Sequence, residues 1–240
     1  MNIIRLDEID STNLYAKQHL SELGDMTVIV ADRQTAGRGR FNRSWIDLGR
    51  DNIFATIVLK PSETFDEKYT NITQFLSVMM CKVFEQYGVS PSIKWPNDVL
   101  IDGKKIAGIL SETVVQGQKF KGIMLGFGIN LNAEKDALLN IKDKEATALN
   151  LEINSDYIDK EKFLNDLLNE FFGNYDLFLN DGFAIIKNDY LSRACFLNKE
   201  ISVQVFNEQK SGYAKAINDS GELVIEKDNK ELVLTMGDIL

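Results

Sequence analysis

A run of apolar and β-branched residues, 27–31, leads directly into a segment that contains five of the chain's seven arginines. The run predicts a buried strand, and a loop at a strand end is a usual place for functional side chains. This loop reads Gln34-Thr-Ala-Gly-Arg-Gly-Arg40 and continues through Arg43 to Trp45. Arginine offers planar, bidentate donors to phosphate or carboxylate, and glycine lets backbone N–H groups approach a ligand. The pattern therefore predicts an anion-binding loop, and a solvated basic surface loop is the simpler alternative.

Charge and residue usage limit the anion and the chemistry. The formal net charge is −9, which argues against a broad nucleic-acid surface and favours a small anion. His19 is the only histidine, so histidine-rich zinc sites are excluded and a Ser-His-Asp triad would depend on this residue alone. Cys81 and Cys195 lack motif spacing, and we interpret them as reduced core residues rather than catalytic thiols. The chemistry is therefore expected to use Lys, Arg, Asp and backbone amides.

Length and hydropathy predict the broad class of protein. A chain of 240 residues that is 44% hydrophobic can form one large domain, or a large and a small one. No apolar stretch reaches the roughly 18 residues of a membrane span, and the first residues lack the layout of a signal peptide. We therefore predict a cytoplasmic protein with no membrane partner.

Periodicity predicts an α+β fold with two domains. Apolar residues at helical spacing predict helices over about 69–87 and 163–179. Turn residues near 102–104 and 116–118 predict two β-hairpins between these helices, and a small antiparallel barrel is predicted at the end of the chain. The domain boundary is expected near 188–195. The predicted hairpin strands are 98–101, 105–110, 112–115 and 120–126, and the predicted barrel strands are 201–206, 212–217, 222–226 and 231–235.

Four short segments hold residues that a plain core would not select. Ser11-Thr-Asn13 supplies neutral donors and acceptors, and 34–45 is the anion loop. Lys94-Trp-Pro-Asn-Asp98 joins a charge, an indole, a rigid turn, an amide and a carboxylate. Gly126-Phe-Gly-Ile-Asn-Leu-Asn132 ends an apolar strand with close-approach glycines and two amides. The joint order of the four segments is a stronger signal than any one of them.

Together with Lys105-Ile-Ala-Gly-Ile-Leu110, these segments resemble the biotin protein ligases. The resemblance spans 10–132, and the combination of the arginine loop with Lys-Trp-Pro-Asn-Asp is highly specific. It implies a class II synthetase-like catalytic domain over 1–190, with a mixed or antiparallel sheet and flanking helices, and a small SH3-like β-barrel over 191–240. Many members read Arg-Arg-Gly-Arg where this chain has Arg40-Phe-Asn-Arg43. Some members begin with a helix-turn-helix domain, whereas here the first segment starts at Ser11, so we expect the short, ligase-only form without DNA binding.

The resemblance implies an enzyme that uses Mg²⁺-ATP to convert biotin to biotinyl-5′-AMP. Biotin then passes to a lysine of a biotin carboxyl carrier protein. Lys105 and Arg40 are the implied catalytic residues, while the simpler alternative for Lys105 is a solubilising hairpin lysine like Lys104. The implied biotin-binding residues are Ser11, Thr12, Asn13, Gln34, Gly37, Arg38, Gly39, Arg40, Lys105, Gly108, Gly126 and Gly128. The implied ATP-binding residues are Arg40, Arg43, Trp45, Lys94, Asn97, Asn130 and Asn132, and no metal-ligating residues are predicted.

Several alternatives stay open from the sequence. Trp45 either stacks near the adenine or is an ordinary packed indole. Asp98 orients Lys94 or Arg40, or helps a metal-bound water. A lipoate ligase or octanoyltransferase would share the fold, although an acyl tail would need a more apolar slot. A non-catalytic regulator that binds a nucleotide is the rival of another class, and a homodimer paired through the sheet of the large domain stays open.

Overall fold

The computed structural model describes residues 2–60, 64–139, 141 and 145–240, and it places two β-sheets in them. The strands of the larger sheet are β1 (Asn2–Ile9), β2 (Thr27–Gln34), β3 (Ile53–Leu59), β4 (Pro91–Lys94), β5 (Asp98–Ile101), β6 (Lys104–Gln116) and β7 (Lys119–Ile129). Their order is β1-β2-β3-β7-β6-β5-β4. Strands β1 and β2 pair parallel, and the other neighbours pair antiparallel. The sheet is therefore mixed, and the predicted α+β class is confirmed.

Two helices cover one face of this sheet. They are α2 (Ile72–Gln86) and α5 (Lys160–Asp181), and both were predicted from apolar periodicity. The Phe75 ring lies 5.1 Å from that of Phe171 and 4.6 Å from that of Phe178, so aromatic contacts join the two helices. None of the helices in the described ranges is long and apolar enough to cross a membrane. The shorter helices are α1 (Thr12–Gln18), α3 (Lys135–Leu138), α4 (Leu149–Glu152) and α6 (Lys187–Arg193).

Strand alternation gives the two faces of the large sheet different chemistry. In β3, Ala55 and Ile57 belong to the apolar core that also contains the side chains of α2 and α5. Thr56, between them, hydrogen-bonds residues of α1 instead, because successive side chains of a strand point to opposite faces. In β7, Phe127 joins the same core, and its neighbours Gly126 and Gly128 leave the other face open to close approach. The polar face is the one that carries the predicted site residues.

The central hairpins differ in one respect from the prediction. Strand β6 is continuous from Lys104 to Gln116, so the prediction of two separate strands over 105–110 and 112–115 was wrong. It pairs with β5 near its start and with β7 along most of its length. Ser111, which lies between the two predicted strands, pairs with Leu125 of β7 and does not end the strand. The predicted turns are correct, since Gly103 and Gly117 have positive φ values of 78° and 62°.

The smaller sheet contains β8 (Glu200–Val205), β9 (Glu208–Ile217), β10 (Leu223–Lys227), β11 (Lys230–Leu234) and β12 (Asp238–Ile239). It is antiparallel, in the order β11-β10-β9-β8-β12, as an SH3-like domain requires. Strands β8 to β11 match the four predicted strands. The short strand β12 was not predicted, and it places Asp238 against the arginine loop. A division of the chain near residue 190 stays a prediction.

Candidate active site

A cavity of about 490 Å³ lies on the polar face of the large sheet, and its volume is in the range of small-molecule sites. Residues from all four polar segments and from β6 line it, so the fold brings together segments that are far apart in the sequence. The predicted site residues that line the cavity are Ser11, Thr12, Asn13, Gln34, Arg38, Gly39, Arg40, Arg43, Trp45, Lys94, Asn97, Lys105, Gly108, Gly126, Gly128 and Asn130.

One end of the cavity carries neutral polar groups, and we call it the polar end (Ser11, Thr12, Asn13 and Gln34). The backbone N–H of Thr12 donates to Gln34 Oε1 at 2.8 Å. The buried Thr56 hydroxyl lies 2.6 Å from Asn13 Oδ1. A Cβ at Gly126 would lie 2.2 Å from the same oxygen, so Asn13 can occupy this place only because residue 126 is glycine. The polar end is therefore a fixed arrangement of uncharged donors and acceptors.

Backbone hydrogen bonds shape the arginine loop. The N–H of Gly39 donates to the carbonyl of Arg43 at 2.7 Å, and the N–H of Trp45 donates to the carbonyl of Gly37 at 2.9 Å. A Cβ at Gly37 would lie 2.7 Å from the Trp45 carbonyl oxygen, so this close approach requires glycine. Phe41 has a φ of 52°, in the left-handed region that bulky residues rarely adopt. Gly37 is not among the residues that line the cavity, and it supports the loop by allowing this close approach.

The indole of Trp45 lies against the floor of the cavity. Gly108 and Gly128 are cross-strand partners, and a Cβ at Gly128 would lie 2.4 Å from Trp45 Cε2. The indole thus occupies the room that these two glycines create. Trp45 Nε1 is buried and has no hydrogen-bond acceptor among the residues that the structure describes. An unpaired buried donor costs about 1–3 kcal/mol, so this N–H favours an acceptor on a bound molecule.

The structure separates the two neighbouring lysines at the start of β6. Lys105 Nζ lies 2.6 Å from Asp98 Oδ1 and 5.3 Å from the centre of the Trp45 ring, inside the cavity. Lys104 pairs with Glu152 at 3.2 Å and lines a different cavity. Lys105 is thus the lysine that faces the site. Asp98 contacts Lys105 directly. The alternatives predicted for Asp98 were an interaction with Lys94, with Arg40 or with a metal-bound water, and none of them included Lys105.

Asp238 of β12 joins two arginines that line the cavity. Its Oδ1 accepts from Arg40 at 2.7 Å and its Oδ2 accepts from Arg43 at 2.9 Å. Burial lowers the pKa of the Arg40 guanidinium below its usual value, although the charges of Asp238 and Asp98 act to raise it. The group remains a cation at neutral pH because its ordinary pKa is so high. The small sheet therefore completes the site with a carboxylate that binds the loop.

The three asparagines that were predicted to bind ATP are placed differently. Asn97 and Asn130 line the cavity, and their amides donate to backbone carbonyls at 2.6 Å and 3.0 Å, respectively. Asn132 is not among the lining residues. Its side-chain amide donates to the carbonyls of Asp51 and Ile158 at 2.8 Å and 2.9 Å, which ties the chain after β7 to two loops. Asn132 therefore holds the backbone after β7 and does not line the cavity.

The cavity is cationic in a protein of net charge −9. Two carboxylates, Asp98 and Asp238, accompany its positive groups. Such an excess of cations favours an anionic ligand. Within the described ranges, no three His, Cys, Asp or Glu side chains are grouped to hold a metal ion. The cations that line the cavity are Arg38, Arg40, Arg43, Lys94 and Lys105.

Three residues at or behind the site were missed by the sequence analysis. Thr56 is the polar residue within an apolar strand, and that exception was a usable signal. Glu112 accepts from Asn13 at 2.8 Å, but it lies in an ordinary alternating strand. Asp238 follows Gly237 at the start of the two-residue strand β12 and carries no motif. Only the tertiary fold brings Glu112 and Asp238 to the site.

Fold and cavity together define the class of protein. The structure is similar to that of "Biotin protein ligase from Aquifex aeolicus in complex with biotin and ATP", with a TM-score of 0.85 and 27% identity, over 100% of this chain and 97% of that one. The model of the biotin/lipoate A/B protein ligase family matches residues 5–130. The chain belongs to this family.

Two relatives are similar to this chain over most of its length. The chain is 31% identical to "Biotin--[acetyl-CoA-carboxylase] ligase" of Paracoccus denitrificans, over 92% of each protein. It is also 31% identical to "Bifunctional ligase/repressor BirA" of Bacillus spizizenii, over 94% of this chain and 69% of that protein. The similarity to each relative thus extends well beyond the segment matched by the family model.

Proposed function

We propose that this protein is a biotin protein ligase. It joins the biotin carboxylate to the α-phosphate of Mg²⁺-ATP, releases pyrophosphate, and then transfers the biotinyl group to a lysine of a carboxylase carrier protein. The observation that carries the proposal is one cavity with a neutral polar end and a cationic remainder. Biotin combines an uncharged ureido ring with a carboxylate, and ATP adds further negative charge. Family membership and the named relatives support the same activity.

The polar end is proposed to bind the ureido ring. A buried neutral ring with N–H donors and a carbonyl acceptor must find matched partners, because each unpaired group loses its water without replacement. Asn13 and Gln34 offer amides there, and Ser11 and Thr12 offer hydroxyls. A lipoyl or octanoyl chain has no such polar group, so this end favours biotin over the substrates of the rival ligases.

Lys105 and Arg40 are proposed to act in the first step. That step brings a carboxylate up to an α-phosphate, and fixed cations in a water-poor cavity offset the repulsion between the two anions. Lys105 Nζ is held by Asp98 at 2.6 Å, so its charge is already positioned. Arg40 is partly buried and its guanidinium is held by Asp238. Arg38 and Gly39 belong to the same loop as Arg40, and this loop is proposed to lie beside the biotin carboxylate.

The nucleotide is proposed to lie between the arginine loop and β7. Trp45 offers its ring face to the adenine or its unpaired N–H to an acceptor. Arg43 and Lys94 supply charge for the phosphates, and Asn97 and Asn130 supply amides. Asn132 contributes indirectly, through the backbone it holds. Mg²⁺ enters with ATP as part of the substrate.

In the second step, the target amine attacks the acyl carbon of the mixed anhydride and AMP leaves. Placement of the amine supplies much of the acceleration, because a bound pair reacts as one molecule. The partner is therefore a carrier domain whose lysine reaches the cavity. A cytoplasmic location and a homodimer remain predictions, and sedimentation analysis tests the second of these.

Biotin-dependent exchange of labelled pyrophosphate into ATP tests the first step. We expect exchange with biotin and none with lipoate or octanoate. Lys105→Ala should lower the rate about 10²–10³-fold, as removal of a group that stabilises developing charge commonly does. Lys104→Ala is the matched control and should exchange at the wild-type rate, because Lys104 contacts Glu152 outside the cavity. Exchange with lipoate alone would support the rival ligase, and nucleotide binding without exchange would support a regulator.

A further inference from the structure

Glu112 joins the polar end to the surface of the molecule. It lies on β6, and its carboxylate accepts from Asn13 Nδ2 at 2.8 Å and from Lys17 Nζ at 2.5 Å. Arg38 NH1 lies 3.5 Å from the same carboxylate. Burial alone would raise the pKa of Glu112, but the bonds from Lys17 and Asn13 outweigh it, so the pKa lies below the usual value. Glu112 is therefore an anion at neutral pH.

The hydrogen bonds of Asn13 leave one orientation for its amide. One N–H of Nδ2 points to Glu112 Oε2 and the other to the carbonyl of Leu110, at 3.2 Å. The amide oxygen accepts from the Thr56 hydroxyl at 2.6 Å and lies over Gly126. A carboxylate accepts hydrogen bonds and cannot donate them. If the amide flipped, its oxygen would face the anion, and this repulsion fixes the observed orientation.

We propose that Glu112 is a positioning residue that fixes the hydrogen-bonding polarity of the polar end. Its charge keeps the Asn13 amide oxygen toward the cavity, where the remaining lone pair can accept from a ring N–H of the substrate. The inference rests on the proposed function, because it assigns the specificity of the same cavity to a residue behind it. Glu112 touches no substrate in this account and acts through Asn13.

The simpler reading is that Glu112 only forms an ion pair with Lys17. Two substitutions separate these roles. Glu112→Gln keeps the size and shape of the side chain, but its amide can donate as well as accept. The flipped form of Asn13 then loses the penalty from the carboxylate and keeps only the penalty from the Leu110 carbonyl. Lys17→Met removes the ion pair and leaves the contact between Glu112 and Asn13. If Glu112 acted only through Lys17, the two variants would behave alike.

Pyrophosphate exchange measured over a range of biotin concentrations is the test. Glu112→Gln is expected to raise KM for biotin about tenfold, the effect of one mismatched hydrogen bond, with kcat and KM for ATP within about twofold of wild type. Lys17→Met is expected to keep the wild-type KM for biotin. Thermal unfolding of both variants shows whether each remains folded.

A biotin analogue in which one ring N–H is replaced by oxygen gives the second measurement. Wild type should discriminate against the analogue that lacks the N–H facing Asn13, and Glu112→Gln should discriminate several-fold less, because a flipped Asn13 can donate to the ring oxygen. An unchanged KM for biotin in Glu112→Gln, or an equal rise in Lys17→Met, would overturn the role of Glu112 alone. No biotin-dependent exchange in wild type would overturn the proposed function and this inference together.

Discussion

Two of the contacts that join the small sheet to the rest of the molecule differ in chemistry. At the first, which we call the amide joint, Asn71 and Gln74 donate to the carbonyls of Ser220 and Gly221 at 2.9 Å and 2.8 Å. At the second, the ionic joint, Asp238 accepts from Arg40 and Arg43. The amide joint is neutral and buried, whereas the ionic joint is built from the same arginines that line the cavity.

This difference assigns different tasks to the two joints. An anionic substrate does not compete with the carbonyls that the neutral amides of the first joint bind. The amide joint therefore holds the small sheet in place. At the second joint, phosphate or carboxylate oxygens compete with Asp238 for the same guanidinium groups. Binding in the cavity should thus change how the loop is attached to β12, while the amide joint stays intact.

The largest expected effect is loss of the amide joint. Gly221 has a φ of 77°, and a Cβ there would lie 2.2 Å from Asn71 Nδ2. Gly221→Ala should lower the free energy of unfolding by about 2–4 kcal/mol, because it adds backbone strain to the loss of buried hydrogen bonds. Denaturant unfolding measures this change.

Gly117→Ala is the matched control for that substitution. Its φ is 62°, also positive, but a Cβ at Gly117 would meet nothing within 4 Å. The control should cost only the backbone strain, about 1 kcal/mol. Equal losses in the two variants would mean that the amide joint adds nothing to stability.

A smaller effect is expected from the ionic joint. Asp238→Asn removes a buried anion and leaves Arg40 and Arg43 facing each other, which should cost about 1–3 kcal/mol, less than a fully buried pair because Arg43 is half exposed. Mg²⁺-ATP should raise the unfolding temperature of this variant more than that of wild type, since the phosphates replace the missing charge. Asp219→Asn, at an exposed ion pair with Lys187, should change neither quantity. Identical ATP-induced shifts in Asp238→Asn and wild type would separate the ionic joint from the site.

The smallest expected effect is a difference in how the stability contributions of the two joints respond to salt. Raising the ionic strength from about 0.1 M to about 1 M shortens the Debye length from about 10 Å to about 3 Å. The stability difference between wild type and Asp238→Asn should then fall by a few tenths of a kcal/mol, because Arg43 is partly exposed and its charge is screened. The difference between wild type and Gln74→Ala should not change. The same salt dependence in both variants would contradict the neutral character of the amide joint.

The sequence contained more information about the site than about how the small sheet is attached to the rest of the molecule. The polar segments were readable because arginine, glycine and amides are rare together in a strand-rich region, and all four segments meet at the cavity. The helices α2 and α5 were readable because a wide apolar stripe at helical spacing is typical of a helix packed on a core. Of the predicted site residues, Gly37 and Asn132 alone are not among those that line the cavity.

The remaining features depend on contacts between distant parts of the chain. Asp238 lies 195 residues from Arg43 along the sequence, and no local sequence pattern predicts such a pair. Glu112 and Asn13 meet only because α1 packs over β3 and β7, and β7 pairs with β6. The edge strands β1 and β4 were not assigned, and β6 was divided in two, because hydrophobic periodicity does not report which strands become neighbours in a sheet.

The most direct test of the account is the mass of a carboxylase carrier domain after incubation with this protein, biotin and Mg²⁺-ATP. The domain should gain one biotinyl group on its target lysine, and Lys105→Ala should reduce the yield strongly while Lys104→Ala should not. A carrier domain that stays unmodified with biotin, or that gains mass only with lipoate, would contradict the assignment of this cavity to biotin.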